Sequence, residues 1–130
     1  MGPFEAGWTE RDVEAALERA DPQELLYVPI VVGMNAAGCR PGWAEAICLR
    51  LATHPHFNVR GNAVLGLGHI ARTCRALDTK AAVPVITAAL QDEDEFVRGH
   101  AVSAAEDLDT YLGIHLQTSD ADAEKPGRAG

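Results

Sequence analysis

Apolar residues recur at helical spacing through most of the chain. Val13, Ala16, Leu17 and Ala20 fall on one face of a helix. Thr9, followed three residues later by Asp12, makes a start that resembles a capping box. Asp21-Pro22 then restarts the chain, because Asp is a good N-cap and Pro suits the first helical position. This predicts a second helix from Pro22 to about Met34, kinked or shortened at Pro29. Asn35 to Gly42 is a Gly-rich loop ending in Pro41-Gly42. A third helix is expected from Trp43 to about Thr53, with Ala44, Ile47, Cys48, Leu51 and Ala52 as its apolar stripe. After the turn His54-Pro55-His56, a fourth begins near Asn58 and reaches about Leu77. A fifth covers roughly Lys80 to Gln91, and a sixth runs from about Phe96 to Leu112. The acidic turn Asp92–Glu95 between them favours a helix N-terminus through the macrodipole. Residues 1–8 read as an N-terminal extension, 9–115 as a helical domain, and 116–130 as a polar tail with too little apolar surface to order.

Two segments match at an offset of 38 residues, sharing Val-Arg-Gly-x-Ala-Val at 59–64 and 97–102. The likeness extends backwards, with Ile47 against Val85, Cys48 against Ile86 and Leu51 against Ala89. A period of that length across a helix–turn–helix unit is the mark of a helical solenoid. A short helix, an acidic or polar turn, then Val-Arg-x-x-Ala-x-x-x-Leu resembles the HEAT repeat, most of all its short bacterial form. Asp92, Asp94, Val97, Arg98, Ala101 and Leu108 carry the resemblance, and Val59, Arg60, Ala63 and Ile70 keep it one repeat earlier. The earlier turn departs from it, with His54 and Asn58 near the acidic positions. The resemblance implies an all-α superhelix of about three stacked hairpins, residues 9–34 forming a degenerate first repeat that caps the stack. It leaves the ligand open, since such modules bind proteins, nucleic acids and tetrapyrroles. Gly61 and Gly99 occupy matching places and are expected where a neighbouring backbone packs closely. Arg60 and Arg98 are expected to bond turn carboxylates or carbonyls.

Composition agrees with helix packing. Apolar residues make up 47% and aromatics only 5%, too few aromatics for a β-sandwich of this size. Net charge is −8, which argues against general nucleic-acid binding and suits a basic protein partner. The three cysteines, Cys39, Cys48 and Cys74, match neither a disulfide framework nor a metal-binding spacing, and read as free thiols in a reducing cytoplasm. Met1 to Trp8 lacks the features of a signal peptide, and the longest apolar stretch is too short to span a membrane.

The candidate surface follows from projecting the fourth helix. Val59, Ala63, Leu67 and Ile70 face the core, which leaves Asn62, Leu65, His69 and Arg72 on the opposite side, with Gly68 and Thr73 at its margin. One repeat later the same positions hold His100, Ser103, Asp107, Thr110 and Tyr111. Such a mixture of Leu, Tyr, Arg and His has the composition of a protein-binding patch. Five histidines stand at no metal-ligand spacing, so neither a metal nor another cofactor is expected. His69 and Asp107 are possible neighbours, but no nucleophile motif accompanies them and no catalytic residue is assigned. The expected role is a protein-binding adaptor, or an inhibitor of the immunity type that caps a toxin or basic enzyme. One alternative is nucleic-acid binding by the central arginines Arg40, Arg50, Arg60, Arg72 and Arg75. The other is a small enzyme or a lyase-related accessory protein. Trp8 and Trp43 are each core anchors or interface residues, with core the commoner fate. Oligomeric state is left open.

Overall fold

The computed structural model describes residues 9–117. The expected extension 1–8, Trp8 within it, and the tail from residue 118 onward lie outside the described residues. Among the described residues seven α-helices follow one another: α1 (Glu10–Arg19), α2 (Pro22–Leu25), α3 (Val28–Met34), α4 (Trp43–Leu51), α5 (Phe57–Cys74), α6 (Thr79–Ala89) and α7 (Glu95–Leu112). A short 3-10 turn, Ala36–Gly38, lies in the loop after α3. The described residues hold no strand.

Local chemistry accounts for most of these boundaries. Thr9 accepts from the Asp12 N–H while the Asp12 carboxylate accepts from the Thr9 N–H at 2.8 Å, a reciprocal capping box. Asp21 caps α2 by accepting from the Gln23 N–H, with Pro22 at the first position. The single helix expected from Pro22 to Met34 is instead two, α2 and α3. Pro29 has no N–H to donate to the carbonyl four residues back, so the chain stops at Leu25 and restarts with Pro29 in the first turn of α3. α5 is shorter than expected, ending at Cys74, where Arg75 takes a left-handed conformation at φ 53° and closes the helix.

α4 with α5 and α6 with α7 make two hairpins, and before them α1 packs on α2 and α2 on α3 to form a first, irregular hairpin. The second helices, α3, α5 and α7, pack side by side in that order. The core runs through all three hairpins: Val13 and Leu17 of α1, Val28 and Val32 of α3, Cys48 and Leu51 of α4, Ile86 of α6. From α5 and α7 come Val59, Ala63, Leu67 and Ile70, then Val97, Ala101 and Leu108. Trp43 is a core residue, and its indole N–H donates to Glu14 at 3.0 Å. Leu116, the first residue of the expected tail, is also buried against this core. α3 and α5 cross where a Cβ on Gly66 would lie 2.6 Å from the Pro29 carbonyl oxygen and 2.8 Å from the Cys48 sulfur. Only glycine allows that approach, which brings the first two repeats into van der Waals contact.

Candidate functional site

α5 and α7 lie against each other along their length, and the shallow groove between them brings together three aromatic rings with two histidines, two arginines and one aspartate. At one end the rings of Phe57 and Phe96 meet edge to face, centroids 5.7 Å apart. Phe96 packs in turn on His100 at 4.3 Å. Phe96 reaches that far because Gly61 leaves room: a Cβ there would stand 2.7 Å from the Phe96 ring. In the middle, Arg72 and His69 form a hydrogen bond of 2.9 Å through the His69 Nδ1, one turn apart on α5. Asp107 of α7 lies over Gly68 of α5, where a Cβ would come within 2.8 Å of its carboxylate. At the far end the Arg75 guanidinium sits 4.9 Å above the Tyr111 ring, a cation–π contact across the two helices.

Burial sets the protonation of this groove. Loss of hydration pushes the His69 imidazole below its ordinary pKa, with Arg72 and His100 adding to the effect. Burial alone lowers His100. Asp107 moves the other way: burial raises its carboxyl, Arg72 partly opposes that, and Glu106 adds to it. The groove is therefore lined at neutral pH by imidazoles held neutral, the two arginines Arg72 and Arg75, and the Asp107 carboxyl. His69 turns its Nδ1 to Arg72, and no hydrogen bond joins it to Asp107 among the described residues. That arrangement presents donors and acceptors, with no nucleophile activated by a base.

Of the nine residues expected on the binding face, eight are at least partly accessible and one is not. Leu65, His69, His100, Asp107 and Tyr111 are half-buried, and Arg72, Ser103 and Thr110 are exposed. Asn62 is only 5% exposed. Its amide donates to the Leu26 carbonyl at 2.8 Å, satisfying the end of α2 from the neighbouring repeat. The projection placed Asn62 opposite the core, but that side of α5 also packs on α3, so the residue is structural. Phe57 and Phe96 belong to the groove and were not anticipated, and Arg75, expected only within the arginine cluster of the nucleic-acid alternative, belongs to it too. Phe57 and Phe96 each open the second helix of a hairpin, but 39 residues apart, one out of register with the repeat. Alignment at the repeat offset sets each against a non-aromatic residue and hides the pair.

The central arginines do not form one strip. Arg40 bonds Glu10 and Glu14, and Arg60 bonds Asp92. Arg50 belongs to α4, so only Arg72 and Arg75 reach the groove. A separate cavity of about 590 Å³ opens between the loop after α3 and the end of α5, lined by Cys39, Cys74, Ile70 and Leu77. Burial raises the Cys39 thiol, with help from Glu10 and the neighbouring Cys74, so it stays protonated and a weak nucleophile. All three cysteines are free. Among the described residues no group of three or more His, Cys, Asp or Glu is placed to hold a metal ion, and no helix is long and apolar enough to cross a membrane.

The turns before α5 and α7 carry the repeat's own geometry. Asp92 accepts from the Asp94 N–H at 2.9 Å, and Asp94 accepts from the Phe96 N–H at 2.8 Å. His54 and His56, 38 residues earlier, do the same with imidazole nitrogens: His54 accepts from the His56 N–H at 3.0 Å, and His56 from the Asn58 N–H at 3.3 Å. Arg60 spans the two turns, with two donors on the Asp92 carboxylate at 2.8 and 3.0 Å and one shared by the His54 and Pro55 carbonyls. The arginine thus bonds turn carboxylate and turn carbonyls together, as expected. Neither a curated protein nor a solved structure matches the chain. The family model of HEAT repeats matches residues 44–121, more than half of the sequence, and the chain belongs to the HEAT-repeat family.

Proposed function

We propose that this chain binds another protein, as HEAT repeats generally do, and that it does so in the α5–α7 groove, as a small adaptor or as an inhibitor of the immunity type. The observation that carries the reading is the groove's composition: two aromatic anchors, Phe96 and Tyr111, at opposite ends of a run of half-buried Leu65, His69, His100 and Asp107. Aromatic residues with one arginine at the centre and polar residues at the rim are what interface hot spots are made of. The net charge of −8 favours a basic partner, a toxin among the candidates, by steering its approach.

The test is capture of a partner from the source cell's lysate with the purified chain, followed by titration of that partner against variants. Leu65→Ala, Arg72→Ala and Tyr111→Ala should each weaken binding by about tenfold while the helical signal is kept. Equal affinity for all three variants and the unaltered chain would remove the groove from consideration. The partner's own chemistry would then separate an inhibitor from a scaffold.

A further inference from the structure

The junction between the second and third hairpins shows what one repeat of this chain requires from the next. Arg60 offers Nε and Nη2 to the Asp92 carboxylate, while its Nη1 bonds carbonyls of its own turn. Gly61 receives the Phe96 ring, and Val64 is fully buried beside it. Arg98 repeats the inward half of this arrangement, its Nη1 donating to the Asp92 carbonyl at 2.8 Å. Among the described residues no carboxylate meets its other edge. Nothing stands within 4 Å of a Cβ built on Gly99, and Val102 remains half-buried. The outer face of α7 therefore holds an arginine fork, an uncovered glycine and an apolar side chain, whose counterparts are matched at the inner junction and which meet no partner here among the described residues.

The opposite end of the stack carries the complementary parts. Asp21 lies in the turn after α1 and accepts from the Gln23 N–H at 3.0 Å, the same two-residue bond that Asp92 makes with Asp94. Asp21 is exposed and meets no cation among the described residues. Tyr27, at the head of α3, is 57% exposed, and Met34 is 53% exposed. With Ile30 and Val31 between them at i, i+3, i+4 and i+7, they form an apolar stripe without a partner among the described residues. A turn carboxylate followed by an aromatic at the start of a second helix is also what Asp92 and Phe96 supply at the inner junction.

We propose that a second copy of this chain docks head to tail, the α1–α3 end of one copy on the outer face of α7 of the next. Arg98 pairs with Asp21, and Tyr27 lies over Gly99. The contact joins two different surfaces, so each pair keeps one free end of each kind and association grows with concentration. Glu106 and Asp109 stand where the inner junction has Gly68 and Ala71, and they hold the C-terminal half of α7 apart. The junction is thus confined to the first half of the helix and is weak and reversible. This contact uses neither the α5–α7 groove nor its residues, so it stands or falls independently of the proposed partner.

Sedimentation equilibrium of the full chain, from about 10 μM to about 1 mM, reads the association directly. Salt of about 0.15 M screens the like charge of the copies. The weight-average mass should rise with concentration well beyond the monomer. Arg98→Glu and Tyr27→Asp each spoil one end, so each variant alone should stay monomeric, while an equimolar mixture should form a one-to-one dimer through the two intact ends. Gly99→Trp, at an exposed position, fills by bulk the space over which Tyr27 would lie and replaces Arg98→Glu if that variant does not fold. A chain that remains monomeric to about 1 mM overturns the proposal. So does association that survives in both variants, or a mixture that fails to pair.

Discussion

Val-Arg-Gly-x-Ala-Val occurs twice in this chain, and its two copies live in opposite surroundings. In the copy at 59–64 the arginine is held by a carboxylate from the next repeat, the glycine is covered by a phenylalanine ring, and the final valine has no exposed surface. In the copy at 97–102 the arginine keeps only its own turn, the glycine faces open space, and the valine is half exposed. Gly99 was expected, like Gly61, to lie against a neighbouring backbone. Gly61 meets a side chain instead, and Gly99 meets nothing among the described residues. The motif is thus two devices in one: an inward half that shapes the hairpin's own turn, and an outward half that waits for a following repeat.

Removing the arginines should separate the two halves. Arg60→Ala breaks a pair whose side chains are each less than a fifth exposed and leaves Asp92 unpaired. It should cost about 2 kcal/mol in chemical denaturation. Arg98→Ala loses a single carbonyl bond and should cost about 1 kcal/mol or less. Equal losses would mean that the Arg60–Asp92 pair contributes nothing beyond the turn.

The glycines should respond with opposite signs. Gly99→Ala gains helix propensity in open space and should stabilise by about 1 kcal/mol. Gly61→Ala gains the same propensity but drives its methyl into the Phe96 ring, and should destabilise by about 1 kcal/mol overall. Stabilisation by both substitutions would show that Phe96 moves aside freely, and would loosen the groove as a preformed site.

The turns offer the smallest effect and the sharpest contrast. Burial holds His54 below its ordinary value of 6.5, with His56 and Arg60 adding to the shift. His69 and His100 are lowered too, burial first in each. A histidine with a depressed folded pKa binds fewer protons folded than unfolded. Its stabilisation is full above about pH 6.5 and is lost as pH falls through the folded value. Asp92 is lowered chiefly by its bond with Arg60, so its contribution persists until pH falls below the usual aspartate range. Thermal unfolding should therefore weaken by a few degrees on going from neutral to mildly acidic pH. Replacing the shifted turn histidine, as His54→Asp, should remove part of that slope. An unchanged slope would assign it to His69 and His100 alone.

The helix spacing, the restart at Pro22, the capping box at Thr9 and the repeat itself were all legible in the residues, because each rests on local bonding or on a period of the chain. The core face of α5 was legible for the same reason, and Val59, Ala63, Leu67 and Ile70 are all buried. The binding face was only partly so. A helical projection separates one side from the other, but a helix stacked between two neighbours has three buried directions. Asn62 falls on the side that meets α3, which no single-helix argument reveals. Nor does periodicity show that Phe57 and Phe96, one residue out of register, meet edge to face.

The sequence by itself determined that the chain is helical, where most helices begin, and that its hairpins repeat, since capping, proline geometry and apolar spacing act within a few residues. Only the tertiary structure decided which copy of the shared motif is filled and which is open. It also decided whether a polar residue such as Asn62 faces solvent or a neighbouring carbonyl, and which side chains gather in the groove. Those outcomes depend on what lies across the stack. Identical residues differ there because their neighbours are supplied by segments more than thirty positions away in the chain.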